Sequence, residues 1–309
     1  MALNGINGIN GYSAYQYQNT VNLLRLSSMR SASINSVPRV SKINSHSTST
    51  DPYLDVRSFL TKYESSLTDL EELSLIHILS LAGERVLGVD FDPQGNLGFC
   101  LGLEANGGFG VLDALKGDVS VKEAVSSTPY GDILSSDITL SSGLEQVAAE
   151  RRECILKNVL DTVKDEYDYV VIDTPPALNL LTVNAYTASD YLIIPMASDI
   201  LSLVGLSQLT ETIESVRGSL NPGLNVLGIL LTRFNRRTLL SRDVLEMAQQ
   251  LAEQIGTKVF DTRIRTGVAI AEAPAHGESI FDYNPRSAAV EDYQEFILEV
   301  VDKIQVKED

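Results

Sequence analysis

The chain has 309 residues, with 24 Lys+Arg against 41 Asp+Glu and a formal net charge of −17. At 44% apolar and 21% charged residues, it has the composition of a globular protein that builds its core without staples. The acidic balance excludes a protein that coats nucleic acid with its whole surface. Cys100 and Cys154, two well-separated thiols, exclude a disulfide framework and a zinc site.

Residues 1–51 open with the short repeat Gly5-Ile6-Asn7-Gly8-Ile9-Asn10-Gly11 and continue through Ser, Asn and Thr. Such sequence buries too little apolar surface to offset the ordering of the chain, so a disordered polar segment is expected there. Residues 52–78 are expected to form a helix and a junction. Leu54, Phe59, Leu60, Tyr63, Leu67 and Leu70 recur at three- and four-residue steps, the pattern of one amphipathic helix. Residues 1–78 hold six basic and six acidic side chains, so the whole −17 belongs to residues 79–309. The longest nearly uncharged apolar stretch, 73–82, is too short to span a bilayer, and no secretory signal is expected in the first thirty residues.

From residue 79 onward, β-rich runs alternate with helical patterns. Strands are expected at 85–90, 169–173, 191–195, 226–232 and 258–260, and helices at 144–164, 204–219, 242–255 and 289–303. Strands that are apolar throughout are covered by helices on both faces. The fold class expected is therefore α/β: a doubly wound, mostly parallel sheet with flanking helices. Ligands of such sheets bind at the carboxyl ends of the strands.

Two of these strands end in acid. Val86-Leu87-Gly88-Val89-Asp90 runs on as Phe91-Asp92-Pro93-Gln94-Gly95-Asn96, and Tyr169-Val170-Val171-Ile172-Asp173 runs on as Thr174-Pro175-Pro176. An apolar strand ending in Asp is the Walker B pattern, whose carboxylate holds the water shell of a nucleotide-bound Mg²⁺. One such strand is a weak signal, because Asp also caps turns and helices. Two of them, continuing as D-P-Q-G-N and D-T-P-P, are much stronger.

At this point the chain resembles the ParA/MinD/Soj family of deviant-Walker P-loop ATPases (AAA-type, SIMIBI-like), and most of all its ParA and Soj branch. The matching blocks are V-D-F-D-P-Q-G-N-L-G (89–98), Y-D-Y-V-V-I-D-T-P-P (167–176), L-L-T-V-N-A (180–185), A-S-D-Y-L-I-I-P (188–195), G-L-S-Q-L (205–209), L-L-T-R-F-N (230–235) and A-E-A-P-A-H-G (271–277). The resemblance covers 79–309. It implies that Asp92 serves the attacking water and that Asp90 is a second acidic position near the metal. Asp173 would be the Walker B ligand to Mg²⁺, and Gln94, Thr232, Arg233 and Asn235 would meet the nucleotide. It also implies Mg²⁺ and ATP as cofactors, an ATP-dependent homodimer, nonspecific DNA and a ParB-like protein as partners, and a cytoplasmic, nucleoid-associated site of action in chromosome, plasmid or mobile-element partitioning.

The family's defining loop, K-G-G-V-G-K-T, is missing. Its glycines let main-chain N–H groups cradle the phosphates and its lysines neutralise them. No G-x-x-x-x-G-K-[ST] occurs anywhere, and residues 60–85 contain one glycine, Gly83. The domain over 79–309 is thus expected to lack its first strand and P-loop, the slot being empty or filled by a surrogate from residues 73–79. The hexapeptide at 73–78, L-S-L-I-H-I, resembles the translation of an adapter used in preparing sequencing libraries. It coincides with the composition break and the loss of family-like sequence, so a chimera joined there is expected.

Arg233, Arg236, Arg237 and Arg242 form a basic cluster that suits nucleotide, DNA or a partner subunit, with Arg263 and Arg265 as further candidates. His276 has no second ligand at metal spacing and is expected to be a turn residue. The C-terminal helix is too acidic for a membrane surface, so its stripe, Phe296, Ile297, Val300, Val301 and Ile304, is expected to be core. Two readings follow. One is a partitioning ATPase with weak or absent hydrolysis. The other is a non-enzymatic ParA-like binding module. A dinucleotide oxidoreductase is disfavoured, because no G-x-G-x-x-G follows a strand.

Overall fold

A computed structural model describes residues 21–25, 71–81, 83–103, 108–147, 150–175, 177–273 and 279–308. In chain order they form β1 (Val21–Arg25), α1 (Glu71–Leu81), β2 (Val86–Asp90), α2 (Asn96–Cys100), α3 (Val111–Lys116), α4 (Val121–Ala124), β3 (Val125–Thr128), β4 (Gly131–Leu134) and α5 (Leu140–Gln146). There follow α6 (Ile155–Leu160), β5 (Tyr169–Asp173), α7 (Leu180–Ala188), β6 (Tyr191–Ala197), α8 (Ile200–Ser219), β7 (Asn225–Thr232), α9 (Leu239–Gln254), α10 (Val268–Glu272), α11 (Ile280–Tyr283) and α12 (Ala288–Glu308).

The seven strands make one sheet in the order β3-β4-β2-β5-β1-β6-β7. The pairs β4–β2, β2–β5 and β6–β7 are parallel. The edge hairpin β3–β4 is antiparallel, and β1 is antiparallel to both of its neighbours. All five residues of β2 and of β5 are buried, as strands apolar on both faces must be. Their alternate residues feed two core layers. Leu87, Val89, Val170 and Ile172 face one, joined by Leu192 and Ile194 of β6, and Val86, Tyr169 and Val171 face the other, joined by Tyr191 and Ile193. The α/β class with flanking helices is the architecture expected.

The central slot departs from expectation. It holds Val21–Arg25, from within the stretch read as disordered, and not a surrogate from 73–79. Val21, Leu23 and Leu24 interrupt that polar stretch, and the register sets Leu23 level with Val171 and Tyr191. Residues 73–79 instead lie in α1, which crosses the expected boundary at 78/79. The amphipathic helix expected over 52–72 falls outside the described residues except for its last two. Ser74 to Leu79 are all buried, since a helix apolar all round has no solvent face. Ile76 packs on β2 at a glycine: a Cβ on Gly88 would come within 3.0 Å of Ile76 Cδ1. Beside it His77 lies 4.7 Å from the Tyr130 ring and 6.1 Å from Phe281. Burial lowers the His77 pKa to about 4, against a smaller opposing pull from Asp282.

Other expectations hold or fail for local reasons. Strand 169–173 falls where expected, whereas 258–260 gives only a bridge, Ile229 to Val259, beside β7. The single helix expected at 144–164 breaks into α5 and α6. The Asn184 side chain holds the turn between them, accepting from Leu156 N at 3.2 Å and donating to Arg152 O at 2.8 Å. The stripe Phe296, Ile297, Val300, Val301 and Ile304 is buried. His276 and Pro176 lie outside the described residues. Among the described residues no helix is long and apolar enough to cross a membrane.

Candidate functional site

The register of β2 and β5 pairs Asp90 with Asp173. The two acidic strand ends are therefore neighbours, about 5 Å apart at strand spacing. Phe91 N donates to Asp173 O at 3.0 Å, which ties the exit of β2 to the end of β5. Asp90 is fully enclosed. Its Oδ2 accepts from Gly98 N at 3.0 Å and its Oδ1 from Asp92 N at 3.3 Å. Burial raises its pKa to about 6, although those two amides pull it down. With both oxygens engaged by main chain, Asp90 holds the loop that carries Asp92.

That loop is a tight turn. Asp92 Oδ1 accepts from Gln94 N at 2.9 Å, and Asp92 O accepts from Gly95 N at 3.0 Å. Gly95 has a positive φ of 68°, and a Cβ there would meet Ser136 O at 3.2 Å. Gln94 is exposed and Asp92 buried, and burial raises the Asp92 carboxyl. Asp173 is buried, followed by the fully buried Thr174. Asn179 then caps α7, accepting from Leu181 N at 2.9 Å. Asp90 thus lies beside Asp173 on the neighbouring strand and is bonded to the main chain of Asp92. Among the described residues no group of three His, Cys, Asp or Glu side chains is placed to hold a metal ion by itself.

The other expected nucleotide contacts lie farther along the same edge. Thr232 ends β7, three strands from β5, or roughly 14 Å at strand spacing. It is fully buried, and its carbonyl accepts from Ser198 N and Oγ at 3.1 and 3.0 Å. Arg233 has a φ of +49°, the one described non-glycine residue in the left-handed region, a strained conformation of the kind that gathers at functional sites. Asn235 Oδ1 accepts from Arg237 N at 3.0 Å, and Arg242 Nη2 donates to Arg236 O at 3.4 Å. Arg233, Arg236, Arg237 and Arg242 are exposed. The remaining candidates are engaged elsewhere. The Arg263 guanidinium sits 5.2 Å from the Phe234 ring, and Arg265 pairs with the buried Asp292, its Nε donating to Oδ2 at 2.7 Å. Sequence reasoning missed the amide of Gly98 and the strain at Arg233. The closely spaced glycines at 95 and 98 hinted at the first, and nothing in the sequence marks the second.

The phosphate side is different. Ile76, in the middle of α1, sits over Gly88, in the middle of β2, and α1 ends where β2 begins. The amino end of α1 therefore points to the carboxyl end of β2, the side of Asp90. A helix amino end on that side favours an anion, and the described part of α1, Glu71–Leu81, contains neither glycine nor lysine. Val21–Arg25 runs the other way: its carboxyl end lies beside Tyr169, at the end of the sheet away from Asp90. The Asp92 and Asp173 carboxylates suit contacts to a hydrated cation, and among the described residues no glycine–lysine loop stands at this end of the sheet to meet a triphosphate.

Comparison with known proteins agrees with this frame. A family model described as an AAA domain matches residues 71–226. The chromosome-partitioning ATPase Soj of Treponema pallidum is 37% identical over 226 residues, 72% of this chain and 87% of the relative. The chromosome partitioning protein ParA of Caulobacter vibrioides is 38% identical over 231 residues, 73% and 85% of the two chains. Among solved structures, cobyrinic acid a,c-diamide synthase of Mycobacterium smegmatis with a bound ATP analogue and magnesium superposes with a TM-score of 0.64. It is 28% identical, over 82% of this chain and 91% of that one. The cell division ATPase MinD of Pyrococcus furiosus, at a TM-score of 0.60 and 22% identity over 80% and 94%, shares the fold. With its paired acidic strand ends and this ancestry, the chain belongs to the ParA/Soj family of P-loop partitioning ATPases.

Proposed function

We propose that this chain is a ParA/Soj-type partitioning protein whose nucleotide cycle is interrupted, with ATP hydrolysis weak or absent. One observation carries the reading: Asp90 and Asp173 stand in register at the ends of β2 and β5, while no G-x-x-x-x-G-K-[ST] occurs in the sequence. In this class most stabilisation of phosphoryl transfer comes from the phosphate cradle together with Mg²⁺. Asp173 and Asp92 keep positions from which to hold metal-bound and attacking water, and among the described residues no loop replaces the cradle. The partners that go with the reading are a second copy, nonspecific DNA met by Arg236, Arg237 and Arg242, and a ParB-like protein, in the cytoplasm at the nucleoid.

The reversed direction of β1 favours a second reading, a non-enzymatic ParA-like module that binds partners without an ATP switch. Titration with a fluorescent ATP analogue and Mg²⁺, followed by light scattering, separates the two. Saturable uptake with nucleotide-dependent dimers supports the interrupted ATPase, and neither signal supports the module. We also propose that residues 1–78 were joined to the family domain within 73–78. A long read across codons 60 to 90 showing one natural frame refutes that.

A further inference from the structure

β5 is held on its outer side by β2, and β6 on its outer side by β7. Both are buried along their whole length, with helices covering both faces. The gap between them is one strand wide. Left open, it would strand the main-chain N–H and C=O groups of two inner edges inside the core, at a cost of about 1 to 3 kcal/mol for each unpaired group. Whatever fills it must be extended and must present apolar residues to both layers.

Val21–Arg25 satisfies the first condition by pairing on both sides. Asn22 stands opposite Ile172 and Leu192, and Leu23 opposite Val171 and Tyr191. It satisfies the second in sequence. Val21 and Leu23 fall at register positions of one layer, and Leu24 at a position of the other, level with Val170. It runs against both neighbours, although they are parallel to each other. Residues 26–70 separate it from α1, so no short βα connection dictates its direction. The slot is thus filled by main-chain pairing and apolar alternation.

We propose that the gap between β5 and β6 is a strand-acceptor site, and that this chain's own Val21–Arg25 is its occupant, donated within one molecule. The ligand class is an extended segment of four or five residues with apolar side chains on both of its sides. The site lies between the carboxylates of β2–β5 and the Thr232 end of β7, so its occupant decides what main chain passes between them.

The test uses the full chain with Cys100 and Cys154 replaced by serine. Arg25→Cys with Tyr169→Cys joins residues that face each other in the antiparallel register. Val21→Cys with Tyr169→Cys joins positions about 13 Å apart along the strand. Mild oxidation is expected to cross-link the first pair within one chain at least tenfold more than the second. Leu24→Cys with Val170→Cys repeats the test one position along and guards against a variant that fails to fold. Preference for the second pair, no cross-link in either register pair, or cross-links only between two chains would overturn the proposal. Hydrogen exchange gives an independent reading. Leu23→Pro should strip protection from β5 and β6 while the β3–β4 hairpin keeps its own, and unchanged protection of β5 and β6 would contradict it.

Discussion

The two sides of the site are built by different means. On the β2–β5 side, acidic residues sit at the ends of parallel strands in register. Main-chain amides of Gly98 and Asp92 fix the Asp90 carboxylate, and that of Gln94 fixes Asp92. Everything needed is contributed within a few residues of each strand end. On the β1 side, function would depend on the direction of one central strand and on the loop that leaves it. Here that strand runs the other way. The carboxylate side can therefore persist in a chain whose sequence lacks the G-x-x-x-x-G-K-[ST] loop, because the sheet needs only some strand in its gap.

The sharpest way to break this comparison is Leu23→Pro. It removes a ladder hydrogen bond from a central strand and should cost about 3 kcal/mol or more, read by urea unfolding. An unchanged midpoint would mean that β1 does not hold the sheet. Next is Ile76→Ala, which opens a cavity over Gly88 and should cost about 2 to 4 kcal/mol. That result would make α1 an integral part of the domain. A loss below about 0.5 kcal/mol would leave α1 a loosely attached segment.

The carboxylate side is tested by pH. The folded Asp90 carboxyl titrates at about 6, above its ordinary 3.8, so the folded chain holds this proton more tightly and stability falls as pH rises from about 4 to about 6. Asp90→Asn removes that cost. Relative to the parent, the variant should gain stability from pH 4 to pH 6 and level off above, by about 2 to 3 kcal/mol in total. Any offset from an amide facing Gly98 N–H is independent of pH. His77 slopes the other way in the parent. Its folded pKa of about 4 lies below its ordinary 6.5, so stability rises with pH between those values and partly hides the Asp90 effect. A flat difference curve for Asp90→Asn in urea midpoints would show that Asp90 is not held as described. The smallest effect expected is for Asn179→Ala, which loses the cap of α7 after the β5 turn and should cost about 1 kcal/mol.

Much of this was legible in the sequence because its signals are local. The run 169–173 reads as a buried strand from its own residues, and its Asp announces the strand end. D-P-Q-G-N carries its own turn chemistry. What stayed hidden depended on long-range competition. Val21–Arg25 is a short apolar interruption in polar sequence, and only the open gap between β5 and β6 makes it a strand. The break between α5 and α6 depends on Asn184, a residue outside both helices. Arg265 looked free for DNA until Asp292, 27 residues away, was found beside it.

The interrupted nucleotide cycle proposed for this chain keeps the carboxylates without a phosphate cradle. Its most direct test is ATP turnover by the purified full chain with Mg²⁺, compared with Asp92→Ala. The account predicts no release of phosphate above background in either protein. Mg²⁺-dependent turnover in the parent that disappears in Asp92→Ala would contradict it.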